Sequence, residues 1–323
     1  MNGKALEWLV NDIEEDRYGS VRSLIIARND VVVFEEYFEG YTRDELQPIY
    51  SVTKSVISAL IGIAHEQEQI ASLDEPMLNY FPEYPNIENM DSWKQSITIR
   101  HLLGMTAGFE WNELEIPYSA PANIFNNWED ADDLVKFVLD RPMANEPGTQ
   151  VTYNSGVSHL LSAILTKATG QLASDYAAAN LFGPLEITDW TWERENESVS
   201  MGGFGLQLRP LDLTKFGRLY LQQGYWDDVP VITDEWAAVS TDSLGIMSEW
   251  VNYGYQWWRY SSKTVETGLL DSMGIYFASG YGGKIVWVIP YYNMVINLMA
   301  ANSDNYTLGE AMLWEYLLRM IES

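Results

Sequence analysis

The sequence predicts an α/β (α+β) fold: an antiparallel sheet built from N- and C-terminal strands, flanked by helices, with an inserted, mainly helical domain. Three observations predict it. First, two β-rich runs, SLIIAR (Ser23–Arg28) and VVVFEEYF (Val31–Phe38), flank the polar dipeptide Asn29-Asp30, which signals a hairpin. Second, strand texture returns after residue 250, in YGYQWWRY (253–260), MGIYFASG (273–280), KIVWVIP (284–290) and NMVINLMA (293–300). Third, helical segments alternate with polar and Pro-containing loops from 70 to 250. Strands at both ends and helices between them pair the terminal strands into one sheet. The expected division is 1–60 plus 251–323 for the sheet-containing domain and 61–250 for the helical insert, with the active site at their interface.

Taken in order, residues 1–18 place Leu6, Leu9, Val10 and Ile13 at helical spacing. Residues 51–67, SVTKSVISALIGIAHEQ, form a long apolar helix with Ser51 at its start. Helices are further expected over Ile97–Met105, Asp130–Asp140, Ser155–Gly170 and Leu211–Gly224, with Gly170 and Gly224 as stops. The stretch 105–129 is aromatic, acidic and irregular, the texture of a functional loop. Residues 307–321 form a closing amphipathic helix.

The 323 residues carry a formal charge of −27, which repels phosphate backbones and anionic lipid surfaces. Neither nucleic-acid nor membrane partners are therefore expected. Solubility explains such a surface, and so does adaptation to a salt-rich habitat, where ions screen its self-repulsion. With no cysteine, disulfides, thiolate metal sites and cysteine nucleophiles are excluded. The acidic, amphipathic N-terminus lacks the pattern of a secretion signal and no run of 18 apolar residues occurs, so a cytoplasmic address is expected.

His65, His101 and His159 lie far apart without ligand spacing, and each is expected to be structural. Asp130, Asp132 and Asp133 read as first-turn helix carboxylates rather than a cation site. No metal or other cofactor is expected. There is no G-x-S-x-G elbow and no phosphate-binding glycine loop; Gly202-Gly203-Phe204-Gly205 reads as a turn.

What remains is Ser51-Val52-Thr53-Lys54. A serine hydroxyl is a weak nucleophile until its proton is removed. Helix positions i and i+3 share a face, so Lys54 comes within reach of Ser51. The Ser51 N–H, at a helix start, has no intrahelical acceptor and can bind an oxyanion. Burial among Val56, Ile57 and Leu60 lowers the lysine pKa toward that of a usable base. Roughly 0.6 S-x-x-K matches arise by chance in a chain with this Ser and Lys content, so context carries the reading. Two further segments could serve a site. Val151-Thr152-Tyr153-Asn154-Ser155-Gly156 precedes a helix, so Tyr153 either aims its phenol into a cleft or packs in the core. Ser279-Gly280-Tyr281-Gly282-Gly283-Lys284 lies between strands, where its glycines admit a ligand or simply turn a hairpin.

Together these segments resemble the serine β-lactamase-like family that includes class C β-lactamases, D-amino-acid-specific peptidases and family VIII carboxylesterases, on the serine penicillin-binding-protein fold. The resemblance runs from about 20 to 300: YSVTKSVIS at 50–58, ITIRHLLGMTAGF at 97–109, PGTQVTYNSGVSHLLSAILTKATG at 147–170, MGGFGLQLRPLDLTKFGRLYLQQG at 201–224, YGYQWW at 253–258 and ASGYGGK at 278–284. It implies a β-lactamase/transpeptidase-like fold and an acyl-enzyme on Ser51. Lys54 and Tyr153 then share the proton transfers, and the backbone N–H groups of Ser51 and Gly283 form the oxyanion hole. Ser155, Tyr281 and Gly282 fall at substrate-binding positions. Two departures bear on substrate. Tyr153-Asn154-Ser155 stands for the lactamase Tyr-x-Asn, and Gly280-Tyr281-Gly282 stands for Lys-Thr-Gly or His-Thr-Gly, whose basic and hydroxyl groups help hold a substrate carboxylate.

The expected function is a serine hydrolase of small esters or amides. The rivals are a β-lactamase or D-amino-acid-specific peptidase, and a non-catalytic binding protein on the same scaffold. Trp111, Tyr118, Trp257 and Tyr281 are candidate pocket walls, with core packing the equal alternative.

Overall fold

The computed structural model describes residues 3–303 and 308–317. Its centre is an eight-stranded, wholly antiparallel sheet. In spatial order the strands are Gly245–Ile246, Val251–Tyr253, Trp258–Tyr260, Tyr276–Gly280, Lys284–Ile289, Met294–Ala300, Val21–Arg28 and Val31–Tyr37. The two chain ends meet where Val21–Arg28 pairs with Met294–Ala300, with Leu24 opposite Leu298 and Ile26 opposite Ile296. The hairpin turns at Asn29 and Asp30, both at positive φ, as a two-residue turn between right-twisted strands requires.

The sheet is covered on both faces. One face packs with Leu9 and Ile13 of the helix Gly3–Glu14 and with Met312 and Leu313 near the other chain end. The opposite face carries the helices Val52–Glu66 and Pro210–Leu221. Burial on both faces explains why Lys284–Ile289 and Met294–Ala300 read as nearly continuous apolar runs, broken only by Lys284 and Asn297. Val31–Tyr37, at the sheet's edge, alternates in exposure instead. Pro210–Leu221 lies within the expected insert, yet it packs directly on the sheet. A Cβ on Gly217 would come within 2.8 Å of both Val286 and Val295, and Asn297 donates from Nδ2 to Pro210 O at 2.6 Å.

Most expected helices form within a few residues of their limits, and the differences have local causes. The helix expected over 130–140 begins at Leu134, because the Asp133 side chain accepts from Lys136 N and caps it. The irregular 105–129 stretch ends in a short helix, Ile124–Glu129, capped by Asn123. The 253–260 run is two strands, because the chain turns at Gln256 (φ 63°). That buried side chain donates to Leu102 O and Leu103 O and accepts from Ser158 Oγ. Of the closing helix, Leu308–Leu317 is helical, and residues 307 and 318–321 lie outside the described residues. No helix among the described residues is long and apolar enough to cross a membrane.

Candidate active site

A small three-stranded sheet delivers Ser51. Gln47–Pro48 pairs with Leu206–Leu208, and Ile49 N donates to Leu206 O at 3.0 Å. Tyr50 then takes φ 47°, a left-handed conformation costing an aromatic residue about 1–3 kcal/mol, and the chain enters the helix Val52–Glu66 immediately after Ser51. The strand Tyr276–Gly280 closes against this turn. A Cβ on Gly280 would lie 2.3 Å from Ile49 O and 3.2 Å from Ser51 N, so only glycine allows the approach.

Lys54 Nζ donates to Ser51 Oγ at 2.9 Å and to Gly203 O at 2.7 Å, and lies 4.9 Å from the centre of the Tyr153 ring. Its ammonium is fully enclosed. Burial pulls its pKa down to about 8, against a smaller opposing pull from the Glu113 carboxylate. The acceptor Gly203 O comes from the glycine segment read as a turn. Gly202 and Gly203 lie against the backbone of the helix Ser155–Thr169, where a Cβ would come within 2.1 Å of Ser158 O and 2.9 Å of Ser155 O, respectively.

Tyr153 precedes that helix, whose first turn is capped by Asn154 through a bond from Val157 N at 3.1 Å. Its ring stacks on Trp258 at 5.5 Å, and it lines the same cavity as Ser51. Burial, then the charge of Glu113, pushes its pKa far above the usual tyrosine value, with the nearby Ser51 hydroxyl acting the other way.

Ser51 opens onto two cavities. One, of about 500 Å³, is walled by Tyr153, Trp258, Ser279, Gly280, Tyr281, Ser303 and the loop 113–119. The other, of about 320 Å³, is walled by Tyr50, Tyr118, Phe125, Phe204 and Tyr281 with Glu113, Glu129 and Glu193. Among the described residues no lysine or arginine lines either one.

The remaining expectations divide. Tyr281 lines both cavities, edge-on to Tyr50 at 5.6 Å and Tyr118 at 5.5 Å. Ser155 is not on the cavity wall; it donates from N and Oγ to Glu113 at 2.7 and 2.5 Å. Gly283 is corrected: its N–H donates to Gly280 O at 3.3 Å inside the hairpin turn, and the strand meets Ser51 at Gly280. Gly282 also belongs to that turn, with φ 76° and its carbonyl accepting from Asn302 N. Of the expected walls, Tyr118 is one, Trp111 lies behind Glu113, and Trp257 is core, against Phe216 and Tyr220. The histidines hold structure: His65 meets Ile70 O, His101 caps a helix with Thr98, and His159 pairs with Glu195. Sequence reasoning missed Glu113, Trp258 and Gly203 O. The one signal in the sequence was that Glu113 falls in the 105–129 loop already suspected of function.

The Beta-lactamase family pattern matches residues 14–318. The chain belongs to that family. It is 21% identical over 300 residues to the 6-aminohexanoate-dimer hydrolase of Paenarthrobacter ureafaciens, covering 87% of this chain and 73% of that one. Its fold is that of a family VIII carboxylesterase (TM-score 0.74, 15% identity, 98% and 97% of the two chains). It is likewise that of the octameric penicillin-binding protein homologue from Pyrococcus abyssi (TM-score 0.72, 20% identity, 99% and 78%). The relatives of this β-lactamase-fold chain thus include an amide hydrolase and an esterase.

Proposed function

We propose that this protein is a serine hydrolase that forms an acyl-enzyme on Ser51 and cleaves small neutral or cationic esters or amides. One observation carries the reading: Ser51 Oγ is held 2.9 Å from a lysine whose pKa burial draws down to about 8. The neutral amine of Lys54 takes the Ser51 proton while still donating to Gly203 O. The freed oxygen attacks the substrate carbonyl carbon, and the C=O π electrons move onto the carbonyl oxygen. The Ser51 N–H, at the helix start beside Gly280 of the strand, receives that oxyanion. Collapse breaks the bond to the leaving group, which takes its proton from the Lys54–Tyr153 pair. Water then attacks the acyl carbon and gives a proton to the pair; collapse breaks the bond to Ser51 Oγ, which takes that proton back, and the acid leaves to solvent. The division into 1–60 plus 251–323 and 61–250 belongs to this proposal, since Ser51, Lys54 and Gly280 come from the first part and Tyr153 and Glu113 from the second.

The walls favour uncharged or cationic substrates. A substrate carboxylate about 6 Å from one wall glutamate costs about 3 kcal/mol at an effective dielectric of about 20. The test is p-nitrophenyl butyrate and nitrocefin, each assayed with wild type and Ser51→Ala. Ester cleavage that is lost in Ser51→Ala, with at most slow nitrocefin turnover, is expected. Fast nitrocefin turnover would contradict the charge reading, and ester cleavage surviving in Ser51→Ala would contradict the nucleophile.

A further inference from the structure

Glu113 is a charged side chain in the interior, 1% exposed, on a wall shared by both cavities. Its Oε2 accepts from Trp111 Nε1 at 2.8 Å and from Ser155 N at 2.7 Å. Its Oε1 accepts from Tyr118 OH at 2.8 Å and Ser155 Oγ at 2.5 Å. Four donors on two oxygens suit a carboxylate and hold it in one orientation. The partners belong to different pieces of the site. Ser155 N is one of the unpaired donors at the start of the helix that follows Tyr153, where a negative charge is favoured. Tyr118 stands on the cavity loop, which is itself tied down by Asn123 Nδ2, donating to Glu113 O at 2.9 Å and Ile116 O at 2.6 Å.

We propose that Glu113 is a positioning residue for acyl transfer: its buried carboxylate fastens the Tyr118 loop to the start of the Tyr153 helix and supplies the fixed counter-charge for the Lys54 ammonium formed when Ser51 is acylated. The inference rests on the serine-hydrolase reading above. The titratable groups around it are few. Ser51 lines the same two cavities as Glu113, Lys54 is bonded to Ser51 Oγ and lies over the Tyr153 ring, and Tyr253 stands behind Tyr153 at 6.2 Å between ring centres. Glu129 and Glu193 lie on the wall of the second cavity. Lys284 is buried behind Tyr50, 4.9 Å from that ring. Of these, Glu113 is the charge that acts on Lys54, favouring its protonated form, and it disfavours a Tyr153 phenolate. Placed there, it stabilises the ammonium–oxyanion state and keeps Tyr153 a neutral phenol, which gives its proton to the leaving group only as it takes one from the Lys54 ammonium.

The test is the pH dependence of kcat/KM for p-nitrophenyl butyrate in wild type, Glu113→Gln and Glu113→Asp, with circular dichroism and melting curves for each. Glutamine keeps the size but removes the charge, and its amide nitrogen cannot accept from Trp111 or Ser155. The expected result is an acidic limb displaced to lower pH and a plateau kcat lowered about 10- to 100-fold, in a protein with native circular dichroism. Aspartate keeps the charge at shorter reach, so its limb should stay near that of wild type while kcat falls at least fivefold. A folded glutamine variant with the limb in place and only a lower melting temperature reduces Glu113 to a structural clasp and overturns the proposal. If that variant does not fold, an aspartate profile identical to wild type in height and limb overturns the positioning role. Activity that does not depend on Ser51 defeats the underlying hydrolase reading instead, so the two failures are told apart by the Ser51→Ala control.

Discussion

At the scale of residues, the sequence left open whether Lys54 or Tyr153 accepts the Ser51 proton. We assign it to Lys54 from the difference between their environments. Burial disfavours the charged form of each, and this has opposite consequences: it makes the lysine a better base and the tyrosine a weaker acid. With a pKa of about 8, about a tenth of Lys54 is neutral at pH 7, whereas the Tyr153 phenolate is scarcely populated. A base must be deprotonated to act, so kcat/KM for ester cleavage should rise about tenfold per pH unit below pH 8 and level off above it. Initial rates from pH 5.5 to 9.5, corrected for spontaneous hydrolysis, check this. A flat profile across that range would exclude Lys54 as the acceptor. Glu113 stayed hidden at this scale because its meaning lies in its donors. Trp111 and Tyr118 are close in the chain, but Ser155 is 42 residues away, and a lone glutamate in an acidic loop carries no sign of such a partner.

At the scale of elements, legibility followed how locally each element is determined. The Asn29-Asp30 hairpin, the Ser51 helix and the Gly170 stop are set by neighbouring residues and could be read directly. The doubly covered strands Lys284–Ile289 and Met294–Ala300 announced themselves as apolar runs. The break at 254–257 did not, since the partners that hold Gln256 lie near 102 and 158. Nor did the packing of Gly202 and Gly203 on the Tyr153 helix, which depends on a distant backbone. The glycines at 280, 282 and 283 show the same limit: the motif told that the backbone comes close, but only the register of Tyr276–Gly280 tells which glycine touches Ser51. Gly280→Ala is accordingly expected to push the strand off the Ser51 turn and lower kcat/KM by about 100-fold, the scale of an ångström-sized misplacement. Kinetics and a melting curve on that variant check it; full activity in a stably folded Gly280→Ala would mean that the strand does not complete the site.

At the scale of the whole molecule, the negative charge extends from the surface into the site. The chain carries −27, and the cavities beside Ser51 present Glu113, Glu115, Glu129 and Glu193 with no lysine or arginine in their walls among the described residues. A field of one sign concentrates substrates of the other and turns away anions. The fold, shared with penicillin-binding proteins and carboxylesterases, does not choose between their reactions, so the claim rests on the serine itself. The most direct measurement is the intact mass, with peptide mapping, of the folded protein after treatment with an uncharged alkyl fluorophosphonate, in parallel with Ser51→Ala. A single phosphonyl adduct on Ser51, absent from a folded Ser51→Ala, is the predicted result. No adduct on the folded wild type, or an adduct on another residue, would contradict the account.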